Sequence, residues 1–216
     1  MGSPPVPEEA WRLFVAIPVP GEVRDALARA IEPVRRRVRG GRWQSPETWH
    51  LTLRFLGDTP TGAIPAIERA VRGTAAGHPP FRLELGRAGS FEHRRGGRIA
   101  WVGLVEGDRD VAALADGLAH ALAPDEPTAP LQAHLTIARD APEGLVEALA
   151  AALARMRQEA ASAPVPGRIG LGSRLSVPGD RTASLAWTAD RLVLYRSVLG
   201  PSGAAHTPLL EAPLAG

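Results

Sequence analysis

Cysteine is absent from the 216 residues of this chain. Disulfides, thiolate nucleophiles and cysteine-based metal sites are excluded with it. Lysine is absent as well, so all 25 basic residues are arginine. Aromatic residues make up only 5%. No run of about eighteen apolar residues occurs, so no membrane-spanning helix is expected. The opening MGSPPVPEEAW has no basic segment followed by an apolar one, so no secretory signal is expected. These absences lead us to expect a cytoplasmic protein without membrane association.

What is present reads as an ordinary globular chain, 44% hydrophobic and 22% charged. The net charge is only +2, yet the isoelectric point is near 10.2. With no lysine or cysteine and one tyrosine, little titrates between histidine and arginine, so a small arginine excess drives the value up. A high isoelectric point is therefore no argument for nucleic acid here. Two local clusters are more informative: Arg35, Arg36, Arg37, Arg39 and Arg42, and Arg94, Arg95 and Arg98. Each could face phosphates, although solvated charge is the commoner use of such runs.

The chain reads as a repeated unit. Residues 1–10 are Pro-rich and expected to be loose. RLFVAIP reads as a buried strand, and residues 21–37 as a helix with Val23, Leu27, Ile31 and Val34 at helical spacing. Pro33 should kink that helix or limit its last turn. SPETWHLTLRFLG reads as a strand, with His50, Thr52 and Arg54 on a polar face and Leu51, Leu53 and Phe55 opposite. A helix over 61–73 follows, where Pro65 fits only the first turn. Strands over 81–91 and 97–106, a helix over 108–122, a strand over 131–139 and a helix over 142–160 come next. Residues 190–200 form a strand, and 205–211 suggest another. The spacing from Arg12 to His50 is 38 residues, and from Arg98 to His134 it is 36. The halves, roughly 11–97 and 98–216, are built alike within one domain, with the C-terminal strands able to cross between them. The Gly-, Pro- and Ser-rich segment around 161–186 has no counterpart and reads as a long loop with room for short strands.

WHLTLRFLGD and QAHLTIARDA both contain His-Leu-Thr. On a strand, residues i and i+2 share a face. His50 projects beside Thr52, and His134 beside Thr136. Packing the halves about a pseudo-twofold axis would set two imidazoles across one cleft. That suits in-line displacement at phosphorus, with one imidazole taking a proton and the other giving one. Threonine hydroxyls can donate to phosphoryl oxygens. Zinc needs three or four ligands, and no carboxylate recurs at a fixed offset from either histidine, so no metal or other cofactor is expected. There is no G-x-S-x-G elbow and no GK[ST] P-loop. His78, His93, His120 and His206 read as ordinary structural or surface residues, and Trp43 and Trp49 as packing residues.

HLTL (50–53) and HLTI (134–137) resemble the paired H-x-T-x signature of the 2H phosphoesterase superfamily. RLFVAIPVP, WQSPETWHLTLRFLGD, RIAWVGL, AHLTIAR and RLVLYRSVLGPSG are similar to the landmarks of its LigT-like RNA 2′,3′-cyclic phosphodiesterases, in order, from about residue 11 to 211. Ala133 stands where that family usually has proline, and His206 falls near a place often held by an aromatic.

The resemblance implies an α+β bilobal fold, with two antiparallel sheets facing a central cleft and helices outside. It implies hydrolysis of an RNA 2′,3′-cyclic phosphate end, or a related nucleotide, to the 2′-phosphomonoester. His50 would be the proton donor and His134 the proton acceptor. Thr52 and Thr136 would hold the phosphoryl oxygens. Run backwards, the same site could join RNA ends through a 2′–5′ linkage. Arg139 matches an arginine after the second motif, although alternation puts it opposite His134 unless the strand ends or bulges first. Phe14 is a candidate to line the cleft and stack on a base. A monomer is expected. Rival readings are a non-catalytic RNA- or nucleotide-binding module, and a phosphodiesterase for 2′–5′ oligonucleotides or small cyclic nucleotides.

Overall fold

The computed structural model describes residues 9–92, 96–124, 130–162, 184–200 and 203–216. Expectations for residues 1–8, for the turn with His93, Arg94 and Arg95, and for most of the 161–186 segment lie outside these. Strand β1 spans Ala10–Pro18, followed by helix α1, Gly21–Arg37. Next come β2 (Arg42–Trp43), a 3-10 turn at Pro46–Thr48 and β3 (His50–Pro60). A second 3-10 turn at Thr61–Ala63 leads into α2 (Ile64–Ala76). The chain continues through β4 (Phe81–Glu92), β5 (Arg98–Glu106), α3 (Asp108–Leu122), β6 (His134–Arg139) and α4 (Leu145–Ser162). It closes with β7 (Ala186–Ala189), β8 (Arg191–Gly200) and β9 (Gly203–Pro213).

Apolar periodicity explains these elements. On β1, Leu13, Val15 and Ile17 enter the core. On α1, Val23, Leu27, Ile31 and Val34 are buried, and the helix continues through Pro33 to Arg37. Helix α2 begins later than its apolar pattern, which keeps Pro65 at its first positions, where a missing N–H costs no intrahelical bond. Leu145, Leu149 and Leu153 of α4 are fully buried, with Met156 packed at the edge. The segment before His50 is a 3-10 turn begun by Pro46 rather than the start of the strand.

Two antiparallel sheets result, ordered β3-β1-β8-β9 and β2-β6-β5-β4-β7. In the first sheet the His-Leu-Thr strand β3 and its neighbour β1 are followed by β8 and β9 from the other half of the chain; in the second, β6 and β5 are followed by β4 from the other half and then by β7 from their own. Thus β4, before residue 97, lies in the second sheet, while β8 and β9 lie in the first. Helices are exchanged as well. Helix α3 packs with α2 and β3, whereas α1 packs with α4, which covers β4 and β5. The sequence halves are therefore not the structural lobes. One hydrophobic cluster includes side chains of both sheets.

On β4 and β5, Gly89 is opposite Trp101, and the indole lies directly over it. A Cβ at Gly89 would fall 2.2 Å from the ring. Gly89→Ala should therefore displace Trp101 and destabilise the protein by about 1–3 kcal/mol, the usual cost of overpacking. Urea denaturation followed by Trp fluorescence measures this, and an unchanged midpoint would contradict the packing described.

Candidate active site: two imidazoles across a cleft

Each His-Leu-Thr begins a strand. His50 opens β3 and His134 opens β6, and these strands come into contact. Leu51, Leu53, Leu135 and Ile137 are buried in the core. His50, Thr52, His134 and Thr136 line one cleft. The two histidines are held alike. His50 Nδ1 lies 2.7 Å from the carbonyl of Thr48, and His134 Nδ1 lies 2.7 Å from that of Gln132. A carbonyl only accepts, so Nδ1–H is the donor in both rings. Nε2 is then left to take a proton in the neutral ring and to give one in the cation.

Aromatic rings back both imidazoles. Phe14 stacks on His50 with centroids 4.7 Å apart, and also stacks on Tyr195 at 5.1 Å. His206 meets His50 edge-on at 5.2 Å. Across the cleft, Phe91 lies edge-on to His134 at 4.9 Å and beside Trp101. This surround withdraws water and disfavours charge. Burial pushes His50 down to about 4, with the positive ends of His206 and His134 adding to the fall and the Thr48 carbonyl opposing it. Burial also lowers His134, helped by the nearby Arg139 guanidinium. Ligand-free, His50 loses its cation as pH rises through about 4. An anion entering the cleft favours the cation and reverses that penalty.

The structure corrects the alternation argument at two positions. On β3, Ala16 of β1 pairs with Thr52 and Val15 with Arg54, leaving Leu53 as an extra residue. On β6, Trp101 of β5 pairs with Thr136 and Ala100 with Ala138, leaving Ile137 extra. These are matched β-bulges, each three residues after the histidine that opens its strand, and a bulge shifts the alternation that follows it. Phe55 and Arg139, each five residues after a histidine, both line the cleft. Phe55, read as inward-facing, is 69% exposed. Arg139, read as opposite His134, joins its side.

Phe14 lines the cleft but is only 3% exposed, wedged among His50, Phe55, Tyr195 and His206. It supports His50 and has little free face for a base. Phe55 has one. Trp49 is buried in the core at the cleft floor, and Trp43 packs beside the core. His78 bonds the Thr74 carbonyl at the end of α2, and His120 is exposed on α3. His206, by contrast, enters the cleft from β9. Only its place near the family's aromatic position hinted at this. Among the described residues no group of three or more His, Asp or Glu is arranged to hold a metal ion, and no helix is long and apolar enough to cross a membrane.

Residues 17–101 match the family model described as LigT like Phosphoesterase. An RNA 2′,3′-cyclic phosphodiesterase of Geobacillus stearothermophilus is 34% identical over 93 residues, 43% of this chain and 30% of that protein. Two other relatives align over 50% and 52% of their own length, so this chain spans about half or less of the length of these first relatives. One of the same name from Thermus thermophilus is 29% identical over 95% of this chain and 91% of its own. Among solved structures, apo LigT of E. coli superposes with a TM-score of 0.65 at 25% identity, covering 96% of this chain and 99% of its own.

NMR titration of the histidine rings tests the electrostatics. In the ligand-free protein His50 should be uncharged at pH 7 and titrate near pH 4, and inorganic phosphate should raise its midpoint. A ligand-free midpoint of about 6 or above, the unperturbed range, would contradict the burial argument.

Proposed function

We propose that the chain is a LigT-like member of the 2H phosphoesterase superfamily and, within it, an RNA 2′,3′-cyclic phosphodiesterase. The observation that carries this reading is the pair of imidazoles with matched carbonyl anchors, each beside a threonine, lining one cleft. The names of its relatives support the substrate class.

In this reading the cyclic phosphate sits between His50 and His134. Neutral His134 takes a proton from water through Nε2, and the water oxygen forms a bond to phosphorus. The bond from phosphorus to the ribose 3′-oxygen breaks on the opposite side. Protonated His50 gives its Nε2 proton to that oxygen, leaving a 3′-hydroxyl and a 2′-phosphomonoester. Donor and acceptor roles follow the family resemblance. Thr52 and Thr136 donate to the non-bridging oxygens, where charge grows in the transition state. Arg139 adds a guanidinium to the same anion. The anionic substrate itself raises the depressed His50 pKa, so the acid is charged where it is needed. Phe55 offers an exposed ring at the rim on which the terminal base stacks.

Incubating the protein with an RNA ending in a 2′,3′-cyclic phosphate, with chelator present, should yield the 2′-phosphomonoester. Formation of the 3′-phosphomonoester, or no product, would overturn the reading. His50→Ala and His134→Ala should each lower kcat by about 10²–10⁴-fold, the usual contribution of a positioned acid or base. Circular dichroism should show both variants folded, and near-normal turnover in either defeats the assignment. Phe55→Ala should raise KM by roughly tenfold, matching about 1–3 kcal/mol for base–aromatic stacking, with a smaller effect on kcat. An unchanged KM would remove Phe55 from the base site.

A further inference from the structure

One stretch of the cleft wall is not used by this chemistry. On β1, Arg12, Phe14 and Ala16 alternate with the core residues Leu13, Val15 and Ile17. Ala16 is opposite Thr52, and Phe14 is opposite Phe55. Arg12 is opposite Ser197 of β8, and Ser197 is opposite His206 of β9. Arg12, Ser197 and His206 all line the cleft. Moving out along β1, the wall presents a phosphoryl-holding hydroxyl, then an aromatic platform, then a row of hydrogen-bond donors. Each step is two strand residues, about 6.7 Å. A nucleotide chain repeats in the same order: phosphate, nucleoside, phosphate.

Among the described residues, the donors in that row have no competing partners. The guanidiniums of Arg42, Arg82, Arg87 and Arg191 each meet a carboxylate, whereas Arg12 has no ion pair among the described residues. Asp58 is opposite Arg12 on β3 but makes no ion pair with it and does not line the cleft. The Nδ1 of His206 is buried without a partner. A buried N–H without an acceptor costs more than a bare nitrogen, so the proton belongs on Nε2, which then donates. Burial lowers the pKa of His206, which keeps the ring neutral.

We propose that Arg12, Ser197 and His206 form a second anion subsite, which holds the phosphodiester on the 5′ side of the terminal nucleotide and selects a polynucleotide end over a free cyclic mononucleotide. The guanidinium fork grips two phosphate oxygens, and the hydroxyl and imidazole N–H complete the shell. This assignment rests on the cyclic phosphodiesterase reading of the neighbouring site.

The test compares kcat/KM for a 2′,3′-cyclic mononucleotide with that for a dinucleotide ending in the same cyclic nucleotide. Wild type should prefer the dinucleotide, and Arg12→Gln should cut that preference about tenfold, as loss of one charge-assisted contact would. The salt dependence of dinucleotide KM should flatten by about 0.7 in log–log slope, one phosphate contact on a single strand. His206→Phe, which keeps the ring and loses the donor, should lower the same ratio. Equal losses on both substrates, or an unchanged ratio, overturn the subsite. Should wild type turn over neither substrate, the catalytic reading falls separately. Binding of a fluorescent dinucleotide 2′-phosphate then decides the subsite: weaker binding by Arg12→Gln supports it, and equal binding refutes it.

Discussion

The site depends on one short hydrogen bond made twice, from a histidine Nδ1 to the carbonyl two residues before it. It removes the tautomeric choice from both imidazoles and aims both free nitrogens away from the backbone. Without it each ring would exchange its proton between two nitrogens, only one of which meets the cleft. Both bonds form just where β3 and β6 begin, so each ties the first ring of a paired strand back to the segment that leads into it. The carbonyl also favours the cation, and burial outweighs it at both positions.

That balance matters more than either contribution alone. A cleft already holding an imidazolium would bind anions readily but would carry the desolvation cost of that charge while empty. Two half-buried, mostly neutral imidazoles instead gain charge when an anion arrives. Under the proposed mechanism the substrate's own charge completes the catalytic pair. His50 is the more extreme case, because it is packed against Phe14 and faces the edge of a second imidazole, His206. The aromatic backing therefore has a chemical consequence beyond packing: it keeps the His50 ring uncharged until an anion is present.

The period-two pattern made His50, Thr52, His134 and Thr136 legible, because adjacency of i and i+2 on a strand needs no tertiary information. The same rule misplaced Phe55 and Arg139. Each lies beyond a bulge, and a bulge is a property of a strand pair rather than of one strand. Leu53 and Ile137 look like any inward residue in the sequence. Only pairing with β1 and β5 leaves them unmatched. His206 was hidden for a related reason. Its place beside His50 depends on the β8–β9 register and on the insertion of β8 beside β1, both set by contacts distant in sequence. The helices were legible to within a few residues from their apolar spacing. Crossing of the C-terminal strands was allowed for, but the exchange of β4 and of the helices was not legible, since periodicity names a buried face without naming what covers it.

That exchange explains how two histidines 84 residues apart in sequence hold a fixed relation in the fold. Two halves joined by a linker would meet through a small interface, and relative motion would be expected. Here β4 crosses into the second sheet and β8 and β9 into the first, while α1 and α3 cover the opposite lobes. Separating the imidazoles would require breaking ladders inside both sheets and opening one shared core. Their spacing is thus secured by the global stability of the fold. A reaction in which one ring takes a proton as the other gives one needs such a constraint, because positioning errors near 1 Å can cost about 10²-fold in rate.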